Sequence, residues 1–182
     1  MSKKIAVLVG SLRANSFSGR LADVLQKMGD ELGLQLERLE IGDLPLYNQD
    51  LDRVGSTPPA WQRLRQQLAE HDAVLLITPE YNRSVPAALK NALDVGSRPA
   101  DQNVWNGKPV GIISLSVGAI GGFGANHHLR QSLACLNAPV MGQPEAYFGD
   151  VASRLDQEGK VSDEKSRKSL ENFLLRFAQF IS

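Results

Sequence analysis

One cysteine is too few for any crosslink within the chain. Cys135 stands alone among 182 residues, so no internal disulfide, iron–sulfur cluster or cysteine-built zinc site can form, which suits a reducing, cytoplasmic compartment. Net charge is missing too. Twenty acidic side chains cancel 20 basic ones, whereas duplex-binding domains carry an excess of Lys and Arg, so nucleic acid is not an expected partner. Long apolar runs are absent: Ile5–Gly10 is too short to span a bilayer and leads into Arg13 instead of a cleavage site, so no membrane association is expected. Asn82-Arg83-Ser84 spells a glycosylation sequon, which without a secretory signal reads as chance. The fingerprint G-x-G-x-x-G is lacking in the first loop. The P-loop ending fails as well, because Gly107-Lys108 is followed by Pro109 and Gly159-Lys160 by Val161.

What remains is an ordinary globular balance, 42% hydrophobic and 22% charged, in a chain long enough for one sizeable core. No stretch reads as a domain linker, repeat or low-complexity tract, so residues 1–182 are expected to form a single domain. Ile5–Val9, Ala73–Ile77 and Val110–Ser116 are almost uninterrupted apolar runs, the mark of parallel strands buried on both faces. The more polar Leu34–Ile41 suits an edge strand, and Pro139–Gly142 a short final strand at the other edge. Between them apolar residues recur at helical spacing: Leu21, Leu25, Met28 and Leu32; Trp61, Leu64 and Leu68; Leu89, Ala92 and Leu93; Leu129, Leu133 and Leu136; and Leu170 to Ile181. Strict alternation of five strands and five helices predicts an α/β fold, a doubly wound parallel sheet with helices on both faces. Asp150–Lys165 is expected to be irregular and superficial.

Three loops leave the carboxyl ends of the buried strands, where open α/β sheets bind ligands. The first runs from Gly10 to Arg20. Gly10 permits close backbone approach, Ser11, Ser16 and Ser18 offer hydroxyls, and Arg13 can grip phosphate oxygens through paired bonds. A helix N-terminus near Ser16 adds preference for an anion. A Ser-Asn-Ser run before a helix is also what ordinary N-capping looks like; an arginine among three hydroxyls favours phosphate. The second loop, Thr78–Pro86, is stiffened by two prolines, and Tyr81 can stack on a flat ring while Asn82 and backbone N–H groups meet its heteroatoms. The alternative is a plain helix entrance with Tyr81 packed on the surface. The third, Ser114–Gly124, is crowded with glycine, as a ligand wall or a flexible connector would be. A terminal monophosphate at the first loop and a flat ring between the other two match FMN, at the switch point of strand order 2-1-3-4-5 known from flavodoxin.

At these residues the sequence resembles the NADPH-dependent FMN reductase family, flavodoxin-like proteins that include the soluble chromate and quinone reductases. The marks are Gly10-Ser11-Leu12-Arg13 with Ser16-Phe17-Ser18, then Pro79-Glu80-Tyr81-Asn82 with Ser84-Val85-Pro86 and Leu89-Lys90-Asn91-Ala92, then Ser116-Val117-Gly118 with Gly121-Gly122. The resemblance implies that Ser11, Arg13, Ser16, Phe17 and Ser18 bind the cofactor's phosphate end. Many relatives have asparagine at Ser18, so that contact is expected to be weakened or rearranged. It also implies that Pro79, Glu80, Tyr81 and Asn82 flank the ring, and that Ser116 and Gly118 complete the wall. It implies a homodimer or homotetramer, with NADPH or NADH as donor and a small acceptor such as a quinone, free flavin, azo compound or chromate. The chemistry is then borne by the flavin and no side chain is named as catalytic. An electron carrier of the flavodoxin type is the alternative, disfavoured by zero net charge; a flavin-free signalling or interaction domain is the third reading. Other residues carry blander expectations. His71 ends a surface helix, His127 and His128 point about 100° apart and make a poor metal pair, and Cys135 packs within an apolar helix. Arg83 and Arg98 either meet the nicotinamide's phosphates or are solvated.

Overall fold

The computed structural model describes residues 3–53, 55–156 and 158–182. Five parallel strands form one sheet in the order β2-β1-β3-β4-β5. They are β1 (Lys4–Val9), β2 (Gln35–Arg38), β3 (Ala73–Pro79), β4 (Val110–Leu115) and β5 (Ala146–Phe148), alternating with α1 (Phe17–Glu31), α2 (Pro59–Glu70), α3 (Ala87–Gly96), α4 (Phe123–Cys135), the single turn α5 (Val151–Arg154) and α6 (Glu164–Phe180). Among the described residues, no helix is long and apolar enough to cross a membrane.

The two-residue period of a strand explains why the inner strands must be apolar throughout. Ile5, Val7, Val9, Leu75 and Ile77 face a layer made with Leu21 and Leu25 of α1 and Leu170, Phe173 and Phe177 of α6. Their neighbours Ala6, Leu8, Val74 and Leu76 face the opposite layer, made with Trp61, Leu64 and Leu68 of α2, Leu89 and Leu93 of α3, and Leu129 and Leu133 of α4. Both faces are covered, so alternation of polar residues survives only at the edge, in β2.

Four expectations need correction. The final strand is not Pro139–Gly142. That segment touches β4 through one bridge, Val140 with Val110, and β5 proper pairs Ala146–Phe148 with Ile113–Leu115. Pro139 and Pro144 have no N–H to give a ladder, so the edge is interrupted between them. The stretch Asp150–Lys165 is not merely superficial, since it contains α5 and buries Val151 and Leu155 in the core. Cys135 is exposed. It follows Leu133 by two residues, about 200° around the helix from the buried face. His71 does end α2 but is buried, with Nδ1 2.6 Å from the Gln67 carbonyl oxygen and Nε2 3.3 Å from the Glu37 carboxylate.

The connections also carry core. Trp61 and Trp105 are completely buried, and their indole N–H groups donate to the carbonyl oxygens of Pro45 (2.9 Å) and Leu93 (3.0 Å). The loop after β2 is tied to α3 by the Asn91 side chain, which accepts from Tyr47 N–H and donates to the Pro45 carbonyl.

Candidate functional site

Parallel pairing of β1 with β3 and of β3 with β4 brings the three glycine-, proline- and serine-marked loops to one end of the sheet. Strand order reverses between β1 and β3, the position where such sheets open a crevice.

In the first loop, Ser11, Ser16 and Ser18 are all buried, while Arg13 is exposed. Ser16 does serve as the N-cap of α1: its hydroxyl oxygen accepts the Gly19 N–H at 3.0 Å. The capping role is therefore real, and it leaves the Ser16 O–H free to donate elsewhere. Ser18 lies 3.5 Å from Ser16 through its own hydroxyl. The backbone N–H groups of Phe17 and Ser18 meet no acceptor among the described residues, as expected at the start of a helix, where the cap satisfies only the Gly19 N–H. The Phe17 ring is partly buried against the core, with the Arg20 guanidinium 4.4 Å over it. The Arg13 guanidinium has no partner among the described residues, and no carboxylate occurs between Gly10 and Ala22. Hydroxyls, free N–H groups and an unpaired guanidinium, with no acid among them, form a donor set that fits a phosphate monoester.

The second loop reaches the first directly. Tyr81 donates its phenolic O–H to the Ser11 hydroxyl at 3.1 Å, and the residue is 44% exposed, so its tip is anchored while much of it stays open. Tyr81 and Ser84 exchange both main-chain hydrogen bonds at 3.0 Å, closing a tight turn over Asn82 and Arg83. Those two residues have φ of 50° and 65°, the left-handed region that a type I′ turn requires and that costs a bulky residue such as arginine energy. Such strain persists only where the surroundings impose it.

Glu80 supplies part of that imposition. Its carboxylate accepts the Ala125 N–H in the first turn of α4 at 3.1 Å and pairs with Arg83 at 3.0 Å. It thus caps α4 from another loop and holds the strained turn. Gly124 makes room for this, because a Cβ there would lie 2.7 Å from the Arg83 carbonyl oxygen and 2.9 Å from the Glu80 carboxylate. We expect Glu80→Ala to lower stability by about 1 kcal/mol, the usual worth of a helix cap. Amide exchange should speed up in residues 80–84 and in the first turn of α4. Equilibrium denaturation with exchange mass spectrometry checks both.

The third loop is a wall braced from behind. Ser116 donates its hydroxyl to the Gly118 carbonyl at 2.8 Å, while its N–H donates to the Phe148 carbonyl and its own carbonyl accepts the Val151 N–H. The glycines divide in function: Gly121 and Gly122 pack against the chain's own backbone, whereas nothing stands within 4 Å of the space a Gly118 side chain would take. Val117, Ile120 and Phe123 are exposed around it. Phe123 packs on His127 and Tyr147, and His127 Nε2 lies 2.9 Å from the Tyr147 hydroxyl. Burial and the nearby Glu145 carboxylate raise the Tyr147 pKa above its ordinary value. Of the two arginines considered for a nicotinamide, Arg83 is engaged with Glu80, and Arg98 lines a separate hollow with Tyr47 and Asp52.

A parallel sheet with this donor set at its switch point defines an α/β protein of the phosphate-binding, flavodoxin-like kind. Residues 3–153 match the family model described as NADPH-dependent FMN reductase, and the chain belongs to that family. It is 51% identical over 177 residues to a quinone reductase of Pseudomonas putida, covering 97% of this chain and 94% of that one. It is 45% identical over 181 residues to a 2-hydroxy-1,4-benzoquinone reductase of a Burkholderia species, covering 100% and 97%. Among solved structures, the flavoenzyme NAD(P)H:(acceptor) oxidoreductase FerB from Paracoccus denitrificans superposes with a TM-score of 0.91 at 43% identity, over 98% of this chain and 97% of that one. The chain is an oxidoreductase that works with FMN, a reduced nicotinamide donor and a small-molecule acceptor.

Proposed function

We propose that residues 1–182 act as one FMN-binding unit that passes electrons from NADPH or NADH to an acceptor of the quinone class. The observation that carries this is the unpaired Arg13 beside three buried hydroxyls, linked through Ser11 to the exposed Tyr81. Ser11, Ser16, Ser18, the free N–H groups of Phe17 and Ser18, and Arg13 hold the phosphate. Main-chain donors of Pro79–Asn82 and Ser116–Gly118 flank the ring, while Glu80 keeps the first of these segments in shape. When bound, FMN supplies the hydride acceptance and electron release that no protein side chain offers. Exposed Tyr81, Val117, Ile120 and Phe123 give a planar, weakly polar acceptor an apolar surface to lie on. Free flavin, azo compounds and chromate are the further acceptors to screen. Assembly as a homodimer or homotetramer belongs to the same reading, because that apolar rim is a surface a second copy would cover, and so does a cytoplasmic location, supported by the lone thiol.

The test is a visible absorbance spectrum of the purified protein before and after anaerobic NADPH. Oxidised-flavin bands that bleach are the expected result, followed by reoxidation on adding a quinone. Bands that persist would leave an electron carrier, and no bands after reconstitution with FMN would overturn the cofactor assignment.

A further inference from the structure

Most arginines of this protein are occupied. Arg63 pairs with Asp43, Arg65 with Asp52 and Arg83 with Glu80, and Arg130 reaches the Asn126 side chain and the Met141 carbonyl. Arg13 and Arg38 have no hydrogen-bonding or ionic partner among the described residues, yet both line one hollow of about 340 Å³, together with Ser11. Glu40, the only acid on that hollow's lining, spends one carboxylate oxygen on the Gly42 N–H at 2.6 Å. Asp23 and Glu158 border the adjoining hollow behind Arg38 without forming an ion pair with it.

Arg38 ends β2 and pairs in register with Val7 of β1, the strand that delivers the phosphate loop. Strand alternation sets it on the same face as Leu34 and Leu36, which pack beneath α1. Its side chain accordingly lies across the first turn of α1. A Cβ at Gly19 would be 3.6 and 3.7 Å from the two terminal nitrogens of Arg38 and 3.0 Å from the Ser16 hydroxyl oxygen. The guanidinium and the capping hydroxyl thus flank position 19, on the border of the adjoining hollow, and Arg38 lines both hollows. Two like charges facing one hollow repel each other. A phosphate monoester, close to doubly charged at neutral pH, would turn that repulsion into attraction with both.

We propose that Arg38 is a second cation of the phosphate grip, closing on the flavin phosphate from the β2 side and setting the preference for FMN over riboflavin. The proposal rests on the phosphate assignment of the first loop. Affinities of the full chain for FMN and for riboflavin, read from flavin fluorescence in wild type, Arg38→Ala and Arg13→Ala, test it. Arg38→Ala is expected to weaken FMN about tenfold, the worth of one charge-assisted hydrogen bond, and to leave riboflavin unchanged. An unaltered ratio of the two affinities, whether neither flavin weakens or both weaken together, would overturn it. Arg13→Ala separates the failures. If it cuts the ratio while Arg38→Ala does not, only the role of Arg38 falls; if neither variant cuts it, the phosphate assignment falls as well.

Discussion

Replacing Arg65 by Met is expected to lower the free energy of unfolding by about 3 kcal/mol and to remove part of its dependence on acid. Arg65 grips Asp52 through two parallel bonds of 2.9 and 2.7 Å and donates its Nε–H to the Val95 carbonyl at 2.9 Å. The side chains are 14% and 6% exposed. Removing one partner of a buried pair leaves an uncompensated charge, typically at a cost of about 3–5 kcal/mol. The low end applies because Asp52 lines a surface hollow. Chiefly through the Arg65 hydrogen bonds, the Asp52 carboxyl is held below its ordinary value. The unfolded chain therefore takes up this proton more readily than the folded protein. The stabilisation is complete above the unfolded value of about 3.9 and is lost as pH falls through the lower folded value. In Arg65→Met the contribution of Arg65 is gone, so the variant's stability should fall less steeply than the wild type's as pH drops through this range. Urea titrations of both proteins across the acid range read the difference; parallel curves would contradict the account.

Arg13→Ala is expected to weaken FMN binding by about 10- to 100-fold, the worth of hydrogen bonds to a charged group at roughly 1.5–3 kcal/mol. Because Arg13 is exposed and has no partner within the described protein, its removal should change stability by no more than about 0.5 kcal/mol. Affinity and folding are thereby separable at this position. Flavin fluorescence titration paired with thermal unfolding of the flavin-free protein makes the comparison, and an unchanged FMN affinity would remove Arg13 from the phosphate site.

The two predictions differ in how far the sequence alone reaches. Arg13 was readable because its setting is local: an arginine among serines, after a buried strand and before a helix. Arg65 gives no such sign. It lies on a polar stretch of α2, and its partner sits in the connection after β2, where a carboxylate reads as solvated. Glu80 was readable as a member of a motif but not in its role, since the N–H it accepts belongs to Ala125, in a helix reached only after β4. Arg38 was hidden for a related reason. Charges on an edge strand read as solvent-facing, and only the packing of α1 over β2 turns this one toward the first turn of the helix.

What the sequence determined by itself was whatever depends on near neighbours along the chain. Uninterrupted apolar runs can exist only as strands covered on both faces, which dictated the parallel α/β architecture and the end of the sheet where ligands gather. The serines, arginine and prolines of the first two loops stated their chemistry in place. The tertiary structure alone decided what depends on distant meetings: the displacement of β5 to Ala146–Phe148, the capping of α4 by Glu80, the link from Tyr81 to Ser11, and the convergence of Arg13 with Arg38. The physical reason is that hydrophobic periodicity encodes which face of an element is buried, whereas hydrogen bonds and charge pairs between elements act over a few ångströms of space and leave no regular spacing in the chain.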